Sequence, residues 1–330
     1  TPYHPPSHPH SHAPKTWFGE VFGFEENQKG ITNFKWVKQN VRAETRSDGD
    51  IILHTLHTPT KKLHAGKFTM DSLRALTSQL NPATSHAALL TYKEMNGDIK
   101  RFHQNPSLAG SLFQVASQFN MLEMASPDAT PSHGITIYEH DRTQGPACAM
   151  ACPAGTLFRN YFVNDTGQDT PEHQLDGLMG ALKVLQGTVG HSYESSQQKV
   201  PTFWTMQNGY CFPTSEKTLT TVCNFLAPET HRRNFMNAIQ YGIQWNTEVV
   251  PIGHSVAQIY CSALPIAYNI SLSLPAASWE NFATAVLDAA YEATLAAGAL
   301  LSQQRGGQRV KVFLTRVGGG VFGNPPEWIQ

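Results

Sequence analysis

Near the end of this 330-residue chain, the apolar run KVFLTRV leads into Gly318, Gly319 and Gly320, then Val321, Phe322, Gly323, Asn324 and two prolines. Glycine accepts positive φ and leaves backbone N–H groups uncovered by a Cβ. Asn324 ahead of Pro325 and Pro326 resembles a cap followed by proline in a first helical turn. Outward backbone donors beside a helix N-terminus make an anion site, most naturally for phosphate. A glycine-rich turn without a ligand accounts for the same residues. The spacing is not the Walker pattern, because no Lys-Ser/Thr follows, and it lacks the later helix and acidic strand end of the dinucleotide fingerprint.

A second group lies between Ser117 and Gly145, where a polar stretch carries Gln118, Asn120, Glu123, Asp128, Glu139 and Asp141 before Thr143 and Gln144 lead into a run of small residues. Asp141 stands just ahead of that run. There a carboxylate is favoured by the helix dipole and by capping, each by about 1 kcal/mol, so capping alone explains it as well as catalysis does. Glu123 follows Met121 and Leu122. Partial burial there raises its pKa unless a cation or donors pair with it. Two carboxylates on one loop can divide acid and base roles.

The third group is Cys261, Ser262 and Ala263. Small residues there admit a bulky ligand or pack against a neighbouring loop. Cys261 has no adjacent basic residue to activate it. No G-x-S-x-G elbow or H-E-x-x-H pair occurs, which leaves serine hydrolases and zincins without a foothold, and no metal or cofactor is expected.

These groups must sit at strand exits. Residues 1–14 carry His4, His8, His10 and His12 among prolines and are expected to be a disordered tail, outside the site. From Trp17 to Leu63, alternating stretches such as DIILHTLHT read as antiparallel strands; FTMDSLRALTSQL then puts Leu73, Leu76 and Leu80 on one helical face. After Ser85 strands alternate with helices. AALLTYK and SLFQVAS read as strands, and ACAMACPAGTLFRNYF, EHQLDGLMGALKVL, TLTTVCNFLA and RRNFMNAIQYG as helices. The strand pair YGIQWNTEVV and VAQIYCSAL follows, then a long helix from Ser278 that buries Phe282, Val286 and Ala290, and a last strand RVKVFLTRV.

This order predicts an α/β fold: a mixed, mostly parallel central sheet with helices on both faces and an N-terminal α+β extension. The expected organisation is a tail over 1–14, an extension over 15–68 packed on the core, and a main domain over 69–330. Ligands of such sheets lie beyond the carboxyl ends of the strands.

Composition narrows the partners. A formal charge of −1, with 24 basic and 25 acidic residues spread along the chain, gives no field for nucleic acid or anionic lipid. An odd count of five cysteines is not a disulfide framework, and Cys148 and Cys152 are spaced for a helix face. No apolar run approaches the roughly 18 residues of a membrane span and no signal-peptide pattern opens the sequence. A soluble, cytoplasmic or nuclear protein is the expectation.

The loop Gly318–Asn324 is similar to the phosphate loop of macrodomains, closer still to the Gly-x-Gly-x-Phe-Gly form of poly(ADP-ribose) glycohydrolases. ASQFNMLEM, DRTQGPACAMACPAGTLFRNYF, QIYCSALPIAY and AAYEATLAAGALL resemble the arginine-specific macrodomain ADP-ribosylhydrolases of the MavL type, a likeness covering most of Thr69 to the C-terminus. The resemblance implies a macrodomain-like fold that binds ADP-ribose. Gly318, Gly319, Gly320, Val321, Phe322, Gly323 and Asn324 then hold the diphosphate, with Phe322 against a ribose. Gln118 and Asn120 bond the distal ribose, with Thr143, Gln144 and Ser262 beside the ligand. Glu123 and Asp141 are the matching acids, and Asp128 is the neighbour that could displace either. The glycohydrolases' Gly-Gly-Gly…Gln-Glu-Glu signature is absent after Ser117, which favours cleavage of a single ADP-ribose from a protein side chain. The implied partners are ADP-ribose and an ADP-ribosylated protein such as ubiquitin, met by a monomer. The competing expectation is a macrodomain that reads ADP-ribose without cutting it.

Overall fold

The computed structural model describes residues 16–26, 30, 32–58, 60–81, 90–195 and 199–330. The His/Pro-rich residues 1–14 lie outside the described residues. The elements run α1 (Trp17–Phe22), α2 (Thr32–Asn40), β1 (Val41–Thr45), β2 (Ile51–Thr55), β3 (Lys62–His64), β4 (Lys67–Ser72), α3 (Leu73–Ser78), α4 (Ile99–Gln104), β5 (Leu112–Ala116), α5 (Gln144–Ala151), α6 (Pro153–Tyr161) and α7 (Met179–Ser195). Then come β6 (Trp204–Gln207), β7 (Tyr210–Pro213), α8 (Glu216–Phe225), α9 (Glu229–Ala238), β8 (Gln240–Glu248), β9 (Ser255–Cys261), α10 (Glu280–Gln304) and β10 (Val312–Phe313).

The central sheet is mixed, in the order β10-β5-β9-β8-β4. β10, β5 and β9 are mutually parallel, whereas β8 runs antiparallel to β9 and β4 antiparallel to β8. Two of its ladders are thus parallel and two antiparallel, and β8 alone runs against the other four strands. The reason is local. The connection from β8 to β9 is too short for a crossover helix, so the two strands pair as a hairpin.

Alternation along the strands assigns the two faces. On one, Gln114 Nε2 donates to Thr294 Oγ1 of α10 at 2.9 Å, and Ile259 and Cys261 join the core that α10 fills with Phe282, Val286 and Ala290. On the other, Phe113 and Val256 pack with Cys152, and Val115 and Tyr260 with Cys148. A 29-residue helical run, Ala276–Gln304, is long and apolar enough to cross a membrane by length and composition, and 67% of its apolar window is buried inside the protein. It is the core helix of this face. Its Asp288 and Glu292 pair with Arg232 and Arg233 of α9.

Other expectations change in detail. FTMDS belongs to β4 at the sheet edge, and the helix begins only at Leu73, where Ser72 Oγ caps Ala75 N at 3.1 Å. The helical stretch 147–162 is two helices, divided at Cys152 where Pro153 starts the second. Residues 90–93 of the expected strand AALLTYK form no strand. The last strand is reduced to Val312 and Phe313.

That short β10 leaves part of β5 without a ladder partner, and one side chain supplies it. Gln144 Oε1 accepts from Ala116 N and its Nε2 donates to Gln114 O, both at 2.8 Å. The amide stands in for the absent strand, since an unpaired backbone group is costly when buried. α5 approaches closely enough that a Cβ on Gly145 would lie 2.0 Å from Ala116 O. Replacing Gln144 by Ala should lower the unfolding free energy by about 1–3 kcal/mol, because two backbone groups lose their partner; a denaturant midpoint equal to that of the parent would refute this role.

Candidate functional site

Because β5, β9 and β10 are parallel, their carboxyl ends open on one edge of the sheet, and the loops that follow them meet there. Ser117 N donates to Cys261 O at 2.9 Å, carrying the pairing one step beyond the strands. The three sequence groups are thus brought to one edge.

The glycines of the last loop serve different purposes. Gly318 has φ 75°, and a Cβ there would lie 2.4 Å from the Ala263 methyl, so position and conformation both require glycine. A Cβ on Gly320 would meet nothing within 4 Å. Asn324 closes the loop: its Nδ2 donates to Leu264 O at 2.9 Å and to Gly318 O at 3.2 Å, and its N–H reaches Gly318 O at 3.0 Å. It therefore ties the loop to the exit of β9 rather than capping a helix, and the short 3-10 turn Pro326–Trp328 begins after Pro325. Gly323 N donates to Gly320 O at 3.1 Å and Ala267 N to Phe322 O at 3.0 Å. The N–H groups of Gly320, Val321 and Phe322 have no acceptor among the described residues. Gly320 and Val321 are exposed, Val321 by 62%, whereas Phe322 is buried.

Phe322 turns inward to an aromatic cluster. Its ring centroid lies 5.5 Å from that of Tyr210 and 5.7 Å from that of Tyr268; the two tyrosines are 5.6 Å apart. Tyr210 opens β7 just after Gly209, a left-handed glycine whose Cβ position is 2.5 Å from Asn120 Oδ1. The Tyr210 hydroxyl donates to Met124 O at 2.8 Å and lies 3.4 Å from Gln118 Nε2. Burial first, then Tyr268 and the charge of Asp141, hold that hydroxyl well above its ordinary pKa, which places Asp141 within electrostatic reach of the cluster. Asp141 is partly exposed, and its Oδ1 accepts from Thr143 N at 2.8 Å. It is a turn residue three positions before α5; Thr143, itself exposed, is the N-cap.

Glu123 is placed differently. Its carboxylate is fully buried against Arg159 Nη2 at 3.2 Å, and the Arg159 side chain is fully buried as well. Arg159 Nε donates to Met121 O at 2.9 Å, and the guanidinium lies 3.6 Å from the Tyr260 ring centroid while donating to its hydroxyl. Tyr260 in turn donates to Gln258 Oε1 at 2.9 Å, and Gln258 Nε2 approaches His103 Nε2 at 3.0 Å. At the other end, Glu123 N donates to Tyr138 at 3.3 Å. Burial raises the Glu123 carboxyl from 4.5 to about 7 against the opposing charge of Arg159, and it pushes His103 down to about 4. This chain of polar groups pins the loop after β5 from beneath.

The N-terminal segment braces the same loop from outside the sheet. Glu26 accepts from Ile135 N at 3.1 Å, Thr136 N at 2.7 Å and Thr136 Oγ1 at 2.6 Å, and also from the Tyr161 hydroxyl. The stretch leading to Asp141 is held by this one buried carboxylate.

Of the expected site residues, the edge therefore gathers Gln118, Asp141, Ser262 and the loop Gly318–Asn324, with Ser262 buried beside Ala263. Others are committed elsewhere. Asn120 is fully buried, accepting from Leu122 N at 3.2 Å and donating to Gln174 at 3.1 Å. Asp128 is exposed, near the turn between β6 and β7, where Gln207 donates to it at 3.1 Å. Gln144 completes β5, and Glu123 faces Arg159 rather than the edge. Burial pushes the Cys261 thiol up to about 12 and keeps it unreactive. Among the described residues, no group of three or more His, Cys, Asp and Glu side chains is arranged to hold a metal ion.

Comparisons with protein-family models, curated proteins and solved structures find no match. The site therefore stands on its own geometry. Sequence reasoning missed Tyr210, Tyr268, Arg159 and Glu26. Arg159 had a usable signal, a cation in an otherwise apolar helical stretch. The tyrosines had none, since only the tertiary fold brings them to Phe322.

Two outcomes follow from the buried pair. Arg159→Met, which leaves Glu123 buried without its cation, should cost about 3–5 kcal/mol in urea unfolding, and adding Glu123→Leu should recover much of it; additive losses would contradict a coupled pair. Because the folded state holds the Glu123 proton more tightly than the unfolded state, this group withdraws stability as pH rises from 4.5 to about 7. Glu123→Gln should lessen the fall in Tm over that window, leaving the slope due to Glu26, whose carboxyl burial also raises; parallel curves for the two proteins would refute the assignment.

Proposed function

We propose that this sheet edge binds ADP-ribose and that the protein removes mono-ADP-ribose from arginine side chains by hydrolysing the N-glycosidic bond. The observation that carries the reading is the row of uncommitted N–H groups at Gly320, Val321 and Phe322. Consecutive backbone donors at a turn suit the oxygens of a diphosphate. The aromatic faces of Tyr268 and Phe322 next to them suit a ribose. The mixed sheet with helices on both faces supports a macrodomain-like arrangement, in which the loops after β5, β9 and β10 share the ligand.

In this reading Asp141 is the catalytic carboxylate. It deprotonates a water that attacks C1 of the distal ribose; the C1–N bond breaks, its electron pair goes to the guanidine nitrogen, and the proton taken from the water passes from Asp141 to that nitrogen, releasing arginine and regenerating the carboxylate. Charge developing at C1 is stabilised by the same carboxylate. Glu123 becomes a positioning residue that acts through Arg159, so one carboxylate carries the role first divided between two. The substrate is an ADP-ribosylated protein, ubiquitin being one to try. The five free cysteines are consistent with a reducing compartment, cytoplasm or nucleus.

A second reading, an ADP-ribose reader without turnover, is favoured by the burial of Glu123, which leaves the edge with a single acid. Incubation with arginine-linked mono-ADP-ribosylated ubiquitin separates the two. The enzyme reading expects release of ADP-ribose by the wild type and a fall in kcat of about 100- to 10,000-fold for Asp141→Asn, with ADP-ribose affinity changed only severalfold. Tight ADP-ribose binding without release supports the reader. Absence of binding overturns both.

A further inference from the structure

The strand β10 stands at one end of the central sheet and pairs on one side only. Its inward side is occupied. Lys311 O accepts from Leu112 N at 3.0 Å, Phe313 joins the ladder opposite Phe113, and Thr315 N donates to Gln114 Oε1 at 3.1 Å while its carbonyl accepts from the Tyr291 hydroxyl at 2.8 Å. Backbone groups of alternate residues in a strand point to opposite sides, so the N–H and C=O of Val312 and Leu314 face away from β5. None of these four groups has a partner among the described residues.

The strand is firmly set beneath this open rim. The Phe313 ring stacks between Phe113, at 4.6 Å, and Phe102 of α4, at 5.9 Å. On the opposite face Val312 lies so close to α10 that a Cβ on Gly298 would be 2.6 Å from its Cγ2. Both faces of β10 are thus covered while its outer edge is free. Residues 90–97 come near without closing it: Glu94 pairs with Arg316 at 3.1 Å, but no backbone group of that stretch bonds to β10, and Leu90 and Tyr92 are each 81% exposed.

Sheets commonly guard an open edge with charge. Here the guard has one sign. Exposed Lys311 lies on the strand itself, Arg309 just before it, Lys100 on α4 and Lys93 beside Glu94, and none of the four has an acidic partner among the described residues. The neighbouring acids are spent, Glu94 on Arg316 and Asp98 on Arg101 and the cap of α4. A second copy presenting the same cations is repelled, whereas a negatively charged strand is drawn in.

We infer that the outer edge of β10 is a docking surface for an extended acidic segment of a partner protein. The segment adds to the central sheet as a further strand through the backbone groups of Val312 and Leu314, and its carboxylates lie toward Lys93, Lys100, Arg309 and Lys311. Leu314, 44% exposed, gives its alternate side chains an apolar contact. Docking here is independent of the ligand proposed for the glycine loop.

The test titrates the 15N-labelled full chain with a blocked heptapeptide of alternating glutamate and valine, and separately with its counterpart carrying lysine for glutamate. The expected result is a saturable downfield shift of the Val312 and Leu314 amides with the acidic peptide, weakened by added salt, and an affinity about tenfold lower for the basic one. Leu314→Pro, which removes an outward donor that no described residue uses, and Lys311→Glu should each weaken binding of the acidic peptide about tenfold. Lys311→Glu serves alone if Leu314→Pro does not fold. The surface is overturned if the acidic peptide leaves those amides unmoved at millimolar concentration, if the two peptides bind alike, or if the variants bind as the parent does. A free chain that sediments as a dimer joined through the same amides assigns the edge to a second copy and overturns it as well. ADP-ribose binding measured on the same samples keeps the outcome separate from the proposal for the glycine loop.

Discussion

A buried ion pair between Glu123 and Arg159 organises this protein's candidate site. Two charges without solvent are tolerated only when their remaining hydrogen-bonding groups are also satisfied. Here the guanidinium spends its donors on Glu123, Met121 O and the Tyr260 hydroxyl, and its face on the Tyr260 ring. Met121 sits at φ 64°, a conformation rare for a side chain of its size, and its carbonyl is held in place by Arg159. The turn at the end of β5 is thereby fixed, and Gln118, on the same turn, is set against Tyr210. Removing the pair removes the footing of the loop.

A second constraint comes from Glu26. By accepting hydrogen bonds from Ile135 and Thr136 it joins the N-terminal helices to the stretch before Asp141. Asp141 is thus presented at the sheet edge by a segment clamped at both ends, at Glu26 on one side and at Gln144 under β5 on the other. A carboxylate carried on such a frame keeps its position without cost when a ligand arrives.

The α/β class was legible from strand and helix periodicity, and so were the strand pair at β8 and β9 and the long helix with Phe282, Val286 and Ala290 facing inward. The reversed direction of β8 was not, because strand direction follows from connection length and packing rather than from alternation. In the site, the loop from Gly318 to Asn324 and the approach to Asp141 could be read from residue type, since glycine and a pre-helix carboxylate have local meaning. Glu123 could not be assigned from its neighbours: Met121 and Leu122 announced its burial, but its partner lies 36 residues away on α6. Gln144 and Asn120 looked like ligand contacts because free amides do; their commitment to Ala116, Gln114, Leu122 and Gln174 exists only in three dimensions. Asn324 likewise looked like a helix cap, and proves to be the latch of the glycine loop.

The central claim is that the N–H groups of Gly320, Val321 and Phe322 receive the diphosphate. An amide 1H–15N titration of the full chain with ADP-ribose tests it most directly. The account predicts saturable downfield shifts of these three amides, accompanied by Gly318 and the Tyr210 and Tyr268 rings, with slowed exchange in the bound state. Saturable binding that leaves those amides unmoved and perturbs another face of the protein would contradict it.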